Sequence, residues 1–127
     1  MQKILSVVDT AYRATLEEQD DTSLWFNHAC RNAGANITLL LTGNAVNYAV
    51  KTQNPRSLNF GSGAIPHPNK FHEDLISFRE SGGNVLYLSD DVEERGISSD
   101  ELIQGLEPVK RSQLASLVDG FDLIWHW

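Results

Sequence analysis

The sequence has a single cysteine, Cys30, and so no internal disulfide; a reducing compartment is the expectation. Basic residues are also scarce. Ten Lys and Arg against 17 Asp and Glu give a net charge of -7, which argues against a grip on nucleic acid or an anionic membrane, because neutralising phosphates needs a basic surface. Lys110-Arg111 is the one adjacent basic pair and reads as the solvated start of a helix. Long hydrophobic runs are missing too: the longest, such as residues 37–41, are strand-sized, whereas crossing a bilayer takes roughly 20 apolar residues. The apolar opening at residues 4–8 is too short for a secretory signal and lacks a cleavage site, so the expected address is cytoplasmic. No repeat, linker or biased segment divides the 127 residues. The expectation is one domain, long enough to bury roughly two thirds of its unfolded surface without metal or disulfide.

What remains is a regular alternation. Residues 3–9 form an apolar run that suits a strand buried on both faces. Asp21, Thr22 and Ser23 are candidate caps for a helix whose apolar stripe, Trp25, Phe26, Ala29, Cys30 and Ala33, recurs at the helical period and predicts a buried face, closed by Gly34. Residues 36–42 predict a second strand, and Gly43-Asn44 lead into a short helix with Ala45, Val46, Ala49 and Val50 on one side. Residues 52–69 lose all periodicity and carry Pro55, Pro66 and Pro68; a lid, an oligomer contact or a mobile loop is expected there. A third helix with Phe71, Leu75, Ile76 and Phe78 inward stops at Gly82-Gly83 and leads to a strand at residues 84–89. Residues 90–96 read as a charged turn, Ser98 and Glu101 as a capping box, residues 107–109 as a brief strand and residues 122–126 as the last strand, after a helix carrying Leu114, Leu117 and Val118. Strands alternating with helices predict an α/β fold, a three-layer α/β/α domain with a mainly parallel sheet of about five strands.

In open parallel sheets ligands bind beyond the carboxyl ends of the strands, where loops converge. That rule selects Asp9, Thr10 and Tyr12 after the first strand, Gly43, Asn44 and Asn47 after the second, and Ser89, Asp90, Asp91 and Arg95 after the third. Arg95 is expected to pair with Glu93 or Asp91, Asn44 to cap its helix, and Tyr12 to line the site or rest on the first helix.

Several of these segments resemble the DsrE/DsrF-like family in order and spacing: Met1-Gln2-Lys3-Ile4, Leu41-Thr42-Gly43-Asn44-Ala45-Val46, Glu94-Arg95-Gly96-Ile97, Leu102-Ile103-Gln104-Gly105, and a final strand after residues 114–119. The resemblance covers nearly the whole chain. It implies a compact α/β/α subunit that assembles into homotrimers, homohexamers or mixed assemblies with related subunits, and that in its best-known members relays persulfide sulfur through a cysteine. That carrier lies four or seven residues before the arginine of the Arg-Gly pair. Here those positions hold Asp91 and Leu88, and neither a carboxylate nor an alkyl chain replaces a thiolate that attacks and accepts sulfur. Cys30, on the stripe expected to be buried, is shielded from reaction. The expectation is therefore a non-catalytic binding or accessory subunit connected with intracellular sulfur metabolism.

Two alternatives rest on the residues themselves. Asp9, Asp90 and Asp91 at strand ends suit a small-molecule or Mg²⁺ site, though the last strand ends in Trp125-His126-Trp127 where a phosphoacceptor domain of receiver type would place a lysine. A structural oligomer partner is the other, since Phe121, Leu123, Trp125 and Trp127 alternate along the last strand and suit either a core or a subunit interface. No cofactor is expected: Gly61-Ser62-Gly63 has no preceding strand and no Lys-Ser/Thr pair after it, as a phosphate loop requires. His67 and His72 do not share a helical face and read as solvated, and no hydrolase triad has its spacing.

Overall fold

The computed structural model describes residues 1–12, 21–53, 58–65 and 71–127. Its strands are β1 (Lys3–Val8), β2 (Asn36–Leu41), β3 (Leu58–Phe60), β4 (Gly63–Ile65), β5 (Asn84–Leu88), β6 (Glu107–Val109) and β7 (Leu123–His126), and its α-helices are α1 (Thr22–Asn32), α2 (Phe71–Glu80), α3 (Ser89–Glu94) and α4 (Leu114–Asp119). Five strands pair in parallel in the order β6-β5-β2-β1-β7, while β3 and β4 make a separate antiparallel hairpin. The fold is the expected α/β type, with helices on both sides of the sheet.

The sheet divides its side chains between two unequal cores. Ile4 and Val8 of β1, Ile37, Leu39 and Leu41 of β2, and Val85 of β5 face Leu24, Leu75, Phe78 and the 3₁₀ helix Gly43–Ala49. On the opposite face Leu5, Leu40, Leu86 and Val109 meet Leu114 and Leu117 of α4 and Phe121. The register accounts for the split: Ile4 lies opposite Ile37 and Leu5 opposite Thr38, so odd and even positions keep to separate faces across strands. Each fully buried leucine of β2 contributes about 1.5–3 kcal/mol of transfer free energy, and β2, central in the sheet, buries three of them, Leu39, Leu40 and Leu41.

The structure departs from the sequence reading in four places. The apolar stripe of α1 faces outward: Trp25 is 58% exposed and Phe26 38%, and Ala29 and Ala33 are exposed, while the buried residues are Ser23, Leu24 and Asn27. A polar network explains the inversion. Asp21 caps α1, its Oδ1 accepting the N–H groups of Ser23 (3.0 Å) and Leu24 (3.2 Å) and the Ser23 hydroxyl (2.6 Å), and its Oδ2 accepts from the Tyr48 hydroxyl. This fixes the polar side of the helix against the core. Second, residues 89–94 are helical, so the charged turn shrinks to Arg95-Gly96, with Gly96 at φ +66°. Third, the 52–69 segment contains the β3–β4 hairpin, and Gly61-Ser62 is its two-residue turn; residues 54–57 and 66–70, with Pro55, Pro66, His67 and Pro68, lie outside the described residues. Fourth, α4 has no fully buried residue, and Val118 is 38% exposed. The expected Ser98–Glu101 box is present, with the Ser98 N–H donated to Glu101 Oε1 at 3.1 Å. Among the described residues no helix is long and apolar enough to cross a membrane.

Candidate functional site

The carboxyl ends of β5 and β6 are neighbours whose connections leave on opposite sides: α3 carries Val92 into the larger core, and α4 carries Leu114 and Leu117 into the smaller one. In such sheets the strand ends where connections part in this way are the usual ligand position. Ser89, Asp90 and Asp91 reach that position from β5, and Lys110 and Arg111 from β6.

Asp91 is the centre of this cluster. It is 6% exposed; its Oδ2 accepts the Gly43 N–H at 2.7 Å, and its Oδ1 accepts from Arg111 Nη2 at 2.6 Å. One carboxylate thus ties together the ends of β2, β5 and β6. Arg111 also reaches Glu94 at 3.4 Å, and its backbone N–H is donated to Asp90 Oδ1 at 2.8 Å. Partial desolvation works against the Arg111 charge, but the carboxylates of Asp91, Glu94 and Asp90 together hold its pKa above the usual guanidinium value. Arg111 is the functional-site residue that the sequence reading missed, having taken Lys110-Arg111 as a solvated helix start. The signal was available: the rule that selects residues after strand ends, applied to residues 107–109, picks out this pair.

Gly43 sits between two acids. Its φ of +53° is open to glycine, and a Cβ there would lie 2.5 Å from Asp9 Oδ1. Asp9, at the end of β1, accepts the Thr42 hydroxyl at 2.8 Å. Gly43→Ala is expected to cost about 1–2 kcal/mol, from left-handed strain and a displaced Asp9; the urea midpoint measures it.

The other selected residues separate into groups. Arg95 donates through Nε and Nη2 to Asn44 Oδ1 (3.2 and 2.9 Å) and through Nη1 to the Asp91 carbonyl (3.1 Å). Among the described residues it bonds no carboxylate, contrary to the expected pairing, and Asn44 uses its oxygen on Arg95 instead of capping the helix; Thr42 holds the N-cap position with no side-chain bond to the helix, its hydroxyl being donated to Asp9. Asn47 turns back on its own helix, donating to the Asn44 carbonyl at 2.9 Å. Ser89 donates its hydroxyl to the Val109 carbonyl at 3.3 Å, tying β5 to β6. Tyr12 stands apart from the acids, its ring 5.0 Å from both Tyr48 and Phe71; desolvation there pushes its phenol above the usual value, so it stays a neutral donor. His72 is half-buried with no partner on Nδ1 among the described residues, not solvated as expected.

Asp90 is held below the ordinary carboxylate value, first by the Arg111 N–H, against a small desolvation cost and with help from the Arg111 and Lys110 charges. A lowered folded pKa means that Asp90 contributes stability present above its unfolded value, about 3.9, and lost as pH falls through its folded value. The difference in urea midpoint between wild type and Asp90→Asn should be constant above pH about 5 and narrow as pH drops below about 4.

Chemically, the cluster is a closed set of ion pairs and hydrogen bonds. Asp90 and Asp91 direct oxygens to Arg111 and Gly43, and among the described residues no three His, Cys, Asp or Glu side chains converge as a metal site requires. Cys30 lies elsewhere. It is half-buried near the end of α1, packed against the larger core, and its carbonyl accepts the Ala35 N–H at 3.0 Å just before β2 begins, which puts it at the amino-terminal edge of the sheet.

No family model matches the sequence, and no curated protein matches it. Solved structures do. The ychN protein from E. coli is similar over 100% of both chains, with 25% identity and a TM-score of 0.76. A protein of unknown function from Methanobacterium thermoautotrophicum, MTH1491, is similar over 98% of this chain and 99% of its own, with 13% identity and a TM-score of 0.63, a likeness of fold alone. The likeness to ychN supports a DsrE/DsrF-like fold.

Proposed function

We propose that this protein is a non-catalytic binding or accessory subunit of DsrE/DsrF-like type, connected with intracellular sulfur metabolism or sulfur relay. It works as a homo-oligomer, a trimer or hexamer, or in a mixed assembly with related subunits. The observation that carries the reading is the state of Asp91. At one of the two positions where the resemblance puts a carrier cysteine stands a carboxylate clamped by the Gly43 N–H and Arg111; at the other is Leu88, 3% exposed. The carboxylate has no soft nucleophilic atom to accept sulfur, and its lone pairs are engaged within the fold. The chain's one thiol lies at the opposite edge of the sheet. The full-length likeness to ychN supports the same reading at the level of fold.

Incubation with a persulfide donor, followed by intact mass measurement, tests the proposal. Wild type is expected to retain no added sulfur and to pass none to an acceptor. Transfer by wild type that disappears in Cys30→Ala would overturn it.

A further inference from the structure

The outward stripe of α1 continues onto β7. The Phe26 ring lies 6.0 Å from Trp125 and 5.5 Å from Trp127, and a recess of about 480 Å³ is lined by Phe26, Ile124, Trp125, His126 and Trp127. It is a groove between a helix and the open edge of a sheet, because β7 pairs only with β1. Trp127 donates its N–H to the Val7 carbonyl (2.9 Å) and accepts the Asp9 N–H (3.1 Å). Since inward and outward groups alternate along a parallel strand, the N–H and C=O of Ile124 and His126 point away from the sheet. The strand carries neither Lys nor Pro, two of the devices that usually blunt an open edge.

We infer that this groove takes an extended basic segment of another protein, which adds a strand to β7 and lays an Arg or Lys side chain in the aromatic recess. Strand addition needs main-chain groups on an exposed edge and a pocket for alternate side chains. The outward groups of Ile124 and His126 supply the first and the recess supplies the second. Charge selects the occupant. The rings of Phe26, Trp125 and Trp127 present π faces, which are negative and attract a guanidinium or ammonium, and neither β7 nor α1 before Arg31 holds a Lys or Arg to fill them. Exposed acids stand at both ends of the edge: Asp119 and Asp122 before β7, beside Lys3 of β1, and Asp9 next to Trp127. A basic strand answers these acids. A second copy paired antiparallel on the same edge would turn its own Asp122 end toward Asp9, acid against acid, with -7 on each chain. The inference involves neither Asp91 nor Cys30, so it stands apart from the sulfur reading, and it leaves the assembly to other faces.

Titration of the full chain with the peptide Thr-Arg-Thr-Arg-Thr-Arg-Thr, followed by Trp emission and calorimetry, tests it. The alternation puts every Arg on one face of the added strand. Wild type is expected to bind this peptide. Citrulline in place of Arg, the same shape without the charge, should weaken binding about tenfold or more, and so should Phe26→Ala, which removes one wall of the recess. N-methyl groups on alternate residues block one edge of the peptide, so of the two forms, methylated on Thr or on Arg, one is expected to lose binding and the other to keep it. No binding of the Arg peptide, equal binding of the citrulline form, wild-type affinity in folded Phe26→Ala, or two N-methylated forms that behave alike would each overturn the inference. Sedimentation checks the other occupant: Phe26→Ala in a smaller assembly than wild type would give the face to a second copy and overturn it as well. The peptide forms decide even if Phe26→Ala does not fold.

Discussion

Asp21→Ala is expected to lower stability by about 3 kcal/mol or more, a fall in Tm of roughly 10 °C. The side chain is fully buried and accepts from two backbone N–H groups, the Ser23 hydroxyl and the Tyr48 hydroxyl. Loss of an N-cap alone costs about 1 kcal/mol; here the Tyr48 hydroxyl, whose residue is itself fully buried, also loses its bond to the carboxylate, and a hydrogen bond to a charged group contributes about 1.5–3 kcal/mol. Tyr48→Phe separates the contributions. It removes the Tyr48 hydroxyl and keeps the cap, so it should cost less than Asp21→Ala, and the double variant less than the sum of the two. Thermal melts of the three proteins measure it.

Asp91→Ala is expected to cost about 2–3 kcal/mol, because hydrogen bonds to a charged acceptor contribute more than neutral ones and the Gly43 N–H loses its partner. Arg111 is half-exposed, with 51% of its side chain accessible, and regains water when its partner goes, so the loss falls short of that for a fully buried pair. Asp91→Asn keeps an acceptor for Gly43 and should recover part of the stability. Arg111→Ala should be milder than Asp91→Ala. Urea unfolding of the three variants gives the order, and the opposite order would mean that Arg111, not the carboxylate, organises the strand ends.

The three central strands were legible because each is a short apolar run, as burial on both faces demands: residues 3–8, 36–41 and 84–88 carry that signal, whereas the β3–β4 hairpin does not. Helix α1 shows where pattern reading stops. Periodicity reports which side of a helix is apolar; it does not report whether that side faces the core. The stripe from Trp25 to Ala33 is real, but the network of Asp21, Ser23 and Tyr48 holds the other side inward. The same limit applies to the site. Asp9, Asn44, Asp91 and Arg95 were selected by position and do gather around Gly43 and α3, but their partners were not readable, because the bonds join residues 20 to 51 positions apart. Arg111 was passed over because a basic pair before a helix is ordinarily solvated, and only the parting of the β5 and β6 connections brings it to Asp91.

The central proposal is that the chain carries no sulfur because Asp91 stands where the resemblance puts a carrier cysteine. Asp91→Cys tests it most directly, with sulfur uptake from a persulfide donor followed by intact mass. A thiol at that position would lie beside Arg111 and the Gly43 N–H, both of which favour the thiolate and should bring its pKa below the usual value of about 8.5. The account predicts that Asp91→Cys retains added sulfur while wild type, with Cys30 present, retains none. Sulfur retained by wild type, or an Asp91→Cys protein that folds and stays unmodified, would contradict it.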